Sequence, residues 1–189
     1  AANLLIEQQR WEEATPVLVD FRKRYPGHDL TASIPGKLAL AYQESGQVGL
    51  AAAEFALLVA ASQDAGERRE RLLITADLYD QAGDSERAIR TYTQYAEAYT
   101  LPAADYMEAV FRLAELHAAA GQTAQQRQWL EKAVSAHDRH AAEATDRMRF
   151  LAASAASVLA DDSYRKFLET RLSLPLNQSL SRKTAAMKE

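Results

Sequence analysis

His137-Asp138-Arg139-His140 sets two imidazoles three residues apart, a spacing that can bring both onto one helix face as metal ligands. No third ligand accompanies them, and they fall at an expected helix end, where cationic side chains favour the dipole. They read as solvated cations. The chain has no Gly-rich phosphate loop, no Gly-x-Ser-x-Gly elbow and no His-Glu-x-x-His pair. Cysteine is absent, which excludes disulfides, thiol nucleophiles and thiolate zinc sites. Arg22-Lys23-Arg24 closes an expected helix, a place that suits cations. Arg68, Arg69 and Arg71 are interleaved with Glu67 and Glu70, which neutralise them locally. The expectation is a protein without catalytic, metal or cofactor sites.

The composition agrees with that reading. Among 189 residues, 22 Lys and Arg face 26 Asp and Glu, for a net charge of −4. Phosphate binding needs clustered, uncompensated cations, so nucleic acid is not an expected partner. No apolar run reaches the roughly 18–20 residues that span a bilayer, so no membrane insertion is expected. Alanine supplies about a fifth of the chain while Gly (7) and Pro (5) are scarce, a mixture that favours helix. The first residue is Ala1, and 181–189 is a helix-like run with no stop signal, so the chain reads as a piece of a longer protein.

Spacing then organises the helices. Ala14, Ala51 and Ala88 recur at 37 residues, each followed four and seven positions later by a large side chain: Leu18 and Phe21, Phe55 and Leu58, Tyr92 and Tyr95. Gly46 and Gly83 precede their alanines by five, Tyr42 and Tyr79 by nine, and Ala39 and Ala76 by twelve. A fourth unit has Leu113, Ala114, His117, Gly121, Leu130 and Ala133, with Gln126 in place of the repeat alanine. His117 there takes the position of Tyr42 and Tyr79 and reads as a core side chain. The first unit carries Gln9 for the turn glycine and lacks the start of its first helix. Small residues permit close helix contact, the glycines supply left-handed turns, and the large residues fill the space between units. Helix-terminating signals at 25–27, 63–66 and 100–102 separate the repeats.

Beyond residue 140 the pattern loosens. Residues 143–160 read as an Ala-rich helix with Phe150, Leu151, Ala155 and Leu159 on its apolar face. Asp161-Asp162-Ser163 reads as a break that caps a shorter helix over 164–172, and Pro175 stops it before a last helix near Ser179.

This pattern resembles the tetratricopeptide repeat family, whose helix–turn–helix units place a small residue, an aromatic, a turn Gly and an Ala in this order. The resemblance implies an all-α, right-handed solenoid of antiparallel helix pairs: four units over 1–140, the first truncated, then a degenerate fifth pair and a cut terminal helix over 141–189. It implies a non-enzymatic scaffold or adaptor. A recruiting or regulatory module of a larger enzyme and a self-associating solenoid are the alternatives. The 37-residue period and Ala-rich loops resemble bacterial cell-envelope members, which suggests the periplasm, with the cytoplasm as the other possibility.

In such repeats the first helices line the face that holds peptides. By that correspondence the candidate partner-binding residues are Asn3 in unit one, with Glu7 beside it, and Lys37 and Gln43 in unit two, with Leu40 and Glu44. Unit three contributes Glu70, Leu73, Asp77 and Asp80; unit four contributes Glu108, Phe111, Arg112 and Glu115. Acids outnumber bases here, so the expected partner is a basic or mixed basic and apolar protein segment, with Leu73 and Phe111 as anchors. Asn3, Lys37 and Arg112 are too scattered among acids to clamp a carboxylate.

Overall fold

The computed structural model describes residues 2–170 and 176–187, and its elements are α-helices with two short 3-10 turns. No strand occurs among the described residues. The N-terminal unit, Ala1–Tyr99, holds α1 (Ala2–Glu7), α2 (Trp11–Arg24), α3 (Ile34–Glu44), α4 (Val48–Ala61), α5 (Ala65–Gln81) and α6 (Ser85–Ala98). The C-terminal unit, Thr100–Glu189, holds α7 (Ala103–Ala119), α8 (Thr123–Arg139), α9 (Asp146–Glu169) and α10 (Leu176–Ala186). Each helix packs on its chain neighbour within its unit, which is an all-α, helical-repeat fold of the solenoid class.

The repeat residues do what their sizes permit. Ala14, Ala51 and Ala88 have no exposed surface, and Ala39, Ala76 and Ala114 are equally enclosed. A larger side chain at any of these points would push the paired helices apart. Tyr92, Tyr95, Leu38 and Leu18 fill the N-terminal core, and Met107, Val110, Leu113 and Leu151 the C-terminal one.

One turn recurs four times. The N–H of Gln47, Asp84 and Gln122 donates to the carbonyls of Tyr42, Tyr79 and His117 at 2.8–2.9 Å, closing α3, α5 and α7. Gly46, Gly83 and Gly121 provide the left-handed residue this closure needs, with φ of +73°, +74° and +71°. In the first unit Arg10 N–H donates to Leu5 O at 2.8 Å, and Gln9 adopts φ +56° without being glycine. The chain tolerates that strain because the turn is otherwise complete. Helix starts vary more: Asp64 and Asp84 cap α5 and α6 through their carboxylates, whereas α3, α4 and α8 have no side-chain cap.

The region after residue 140 departs from expectation in two places. The break at Asp161-Asp162-Ser163 is absent, because α9 runs unbroken from Asp146 to Glu169. Asp162 does not cap a new helix. Its carboxylate is held sideways by Arg127 of α8 and by Lys166 one turn ahead, at 3.5 Å. Phe150, expected in the core, is 59% exposed, while Leu151, Ala152 and Ala155 carry the buried face. Leu151 and Ala155 of the expected face are buried and Leu159 is half-buried, so Phe150 alone falls off the stripe. The last helix begins at Leu176 and packs on α9. The expected stop at Pro175 and the end of the 164–172 segment lie outside the described residues.

Candidate functional site

The first helices of the N-terminal unit bring several candidate residues together. Asn3 on α1 and Lys37 on α3 meet across the helices, with the Lys37 ammonium donating to Asn3 Oδ1 at 2.8 Å. Translation by one repeat carries Asn3 to Leu40 and Lys37 to Ile74. Leu40 and Ile74 are 42% and 39% exposed, so the polar contact between α1 and α3 is followed by an apolar pair on α3 and α5. Ile74 is not among the candidate positions that the repeat correspondence names, which include its neighbour Leu73 instead. Leu73 is half-buried. Beside Lys37 and Asn3 lies a cleft of about 250 Å³ walled by Val17, Leu18, Phe21, Leu30 and Ile34.

The acids differ in how far they are committed. Glu70 is exposed on α5, 3.8 Å from Arg69, and Gln43 and Glu44 are exposed at the end of α3. Asp80 is half-buried in the last turn of α5. Asp77 accepts a hydrogen bond from the hydroxyl of Tyr92, a core residue of α6, so its carboxylate also serves the packing of α5 on α6.

In the C-terminal unit the candidate acids are matched by bases. Glu108 on α7 takes a bidentate pair from Arg147 of α9 at 2.6 and 2.9 Å. Arg112 pairs with Glu115 one turn along the same helix at 2.7 Å. The hydrogen bond to Glu108 is the largest cause that raises the Arg147 pKa, with the charges of Glu108 and Glu115 adding to it. Arg147 also lies over the ring of the outward-facing Phe150 at 5.5 Å, a contact that offsets part of the cost of exposing it. Phe111 is half-buried. Arg147 and Phe150 are the surface residues that sequence reasoning left out of this face. The available signal was a separation of 39 residues between Glu108 and Arg147, close to one repeat.

The histidines are spread through packing and helix ends. His117 is buried and shares a 2.6 Å hydrogen bond with Gln122, the residue after its turn glycine. His137 sits in the last turn of α8, and His140 follows its end. Among the described residues no three His, Cys, Asp or Glu side chains are grouped to hold a metal ion, and no helix is long and apolar enough to cross a membrane.

No curated protein matches this chain. Residues 72–100 match the tetratricopeptide repeat family, and that stretch contains Ala76, Tyr79, Gly83, Ala88, Tyr92 and Tyr95, the residues that enclose the α5–α6 pair. The α5–α6 pair is thus similar to a tetratricopeptide repeat, and the neighbouring pair α3–α4 repeats its small residue, left-handed turn and enclosed alanine.

Proposed function

We propose that this chain is a non-enzymatic scaffold that holds a protein partner on the first-helix face of its N-terminal unit. Tetratricopeptide repeats are in general protein-interaction modules, and the finer reading rests on the character of this face. One observation carries it: Leu40 and Ile74 stand exposed on adjacent first helices, with Glu44, Glu70 and Asp80 on the same two helices. An apolar pair bordered by acids suits a segment that combines apolar side chains with Lys or Arg. The ion pairs Glu108–Arg147 and Arg112–Glu115 cancel much of the charge on α7, so the acidic selection falls to α3 and α5.

The test is capture of a partner from native extract by wild type, by Glu70→Lys/Asp80→Lys and by Leu40→Ser/Ile74→Ser. Asp77 is left intact, because Tyr92 depends on it. A protein captured by wild type and lost by both variants, with helicity unchanged, is the expected result. Equal capture by all three would remove this face from the account.

A further inference from the structure

The second helices of the N-terminal unit differ sharply on their outward faces. Counted from Ala14, Ala51 and Ala88, positions −1, +2, +6, +9 and +10 form one stripe along each helix. On α2 the stripe reads Glu13, Pro16, Asp20, Lys23, Arg24; on α6 it reads Arg87, Arg90, Gln94, Glu97, Ala98. On α4 it reads Leu50, Ala53, Leu57, Ala60, Ala61. All of these side chains are exposed except the half-buried Ala53. The one charge on α4, Glu54, turns inward to a bidentate pair with Arg22. That pair ties α2 to α4, and Leu50, Ala53 and Arg87 line one open groove, so the three stripes lie side by side.

We propose that this face is a two-fold interface with a second copy of this chain, in which α4 lies antiparallel on its counterpart. The pattern matches itself when reversed. Antiparallel overlay about the middle of the stripe brings position −1 of one copy to +9 and +10 of the other, and +2 to +6. On α4, Leu50 then meets Ala60 and Ala61, and Leu57 meets Ala53, so each large side chain faces small ones. On α2, Glu13 meets Lys23 and Arg24; on α6, Arg87 meets Glu97. Lys23 and Glu97 have no charged partner among the described residues, so the contact gives each an opposite charge. Glu13 and Arg24 hold exposed local pairs with Arg10 and Asp20, and exchange of such pairs costs little. Arg87 is held more firmly, by the half-buried Asp84 and over the Tyr79 ring, so its contact with Glu97 adds less. A two-fold contact apposes a patch to itself, so a face of one sign would repel its copy. Here the centre is uncharged and the flanks reverse in sign along their length. A stripe spanning 12 residues is about 18 Å long and three helices side by side about 30 Å wide, roughly 500 Å² per copy, which places the dimer among weak interfaces.

Sedimentation equilibrium of the 189-residue chain tests this, with circular dichroism of each variant as the check on folding. The expected wild-type behaviour is a monomer–dimer equilibrium with a Kd of about 10–100 µM. Leu57→Glu, at an exposed position, abolishes it. Lys23→Glu sets like charges together twice across the two-fold and weakens the dimer about fivefold or more. Glu13→Lys with Lys23→Glu in one chain restores association, because each introduced lysine then meets an introduced glutamate. A monomer throughout the concentration range, or a dimer indifferent to Leu57→Glu, overturns the proposal. So does a double variant weaker than Lys23→Glu alone, since that result belongs to a parallel overlay with Leu50 on Leu50.

Discussion

The Arg22–Glu54 pair offers a perturbation whose cost depends on which partner is removed. Arg22 donates to both carboxylate oxygens of Glu54 at 2.6 and 2.9 Å, and that hydrogen bonding is the chief cause that raises the guanidinium's pKa. The Glu54 side chain is only 8% exposed, whereas Arg22 retains 32%. Arg22→Val therefore strands a carboxylate away from water, at a cost of about 3 kcal/mol. Glu54→Val leaves a guanidinium that can still reach solvent, at about 1 kcal/mol. The repeats indicate what could replace both, since Val17 and Thr91 stand where Glu54 does, and Val59 and Ala96 where Arg22 does. The double variant Arg22→Val/Glu54→Val should thus lie within about 1 kcal/mol of wild type, a coupling of roughly 3 kcal/mol. Equilibrium urea denaturation followed by circular dichroism measures all four proteins. Equal costs for the two single variants, or a double variant less stable than Arg22→Val, would refute the reasoning.

Further predictions concern the turns, the helix contacts and acid. Gly83→Ala should cost about 1 kcal/mol in urea denaturation, all of it backbone, because an added methyl group meets nothing while φ is +74°. Gln9→Gly at φ +56° should instead stabilise, by about 0.5 kcal/mol. Ala51→Leu, at a position with no exposed surface, should cost about 2–3 kcal/mol, readable as a lower urea midpoint and thermal midpoint. Asp84 is held below the ordinary aspartate pKa by the Arg87 N–H and then its guanidinium, and Asp162 by hydrogen bonding to Arg127. Depressed carboxyl pKa values stabilise the fold above the unfolded value of about 3.9 and lose that contribution as pH falls through the folded value. The urea midpoint should therefore decline below about pH 4, less steeply in an Asp84→Asn/Asp162→Asn variant.

The parts of this protein that were legible from sequence are those that repeat. Ala14, Ala51 and Ala88 announce close helix contact because only one kind of side chain fits there, and Gly46, Gly83 and Gly121 announce turns because the backbone demands a positive φ. Each such signal occurs several times in register, which removes ambiguity. Asp162 failed as a cap signal because Arg127, distant in sequence, offers the carboxylate a better partner than a backbone N–H. Phe150 misled for a related reason: an aromatic one residue off the buried stripe of α9 is stabilised outside by Arg147. The candidate face was legible as a set of first-helix positions. Its charge was not, because Arg147 lies in the stretch where the repeat fades, so a 39-residue separation from Glu108 did not stand out as a repeat spacing. Tertiary ion pairs are thus the layer that periodicity leaves unread.

The partner we propose sits on the first helices of the N-terminal unit, where it would shield their backbone amides. Amide hydrogen exchange of the chain, free and bound to the protein it captures, tests that claim most directly. Exchange should slow in 34–44 and 65–81, the segments of α3 and α5, and that slowing should be lost with Glu70→Lys/Asp80→Lys. Protection confined to the C-terminal unit or to the outward face of α4 would contradict it.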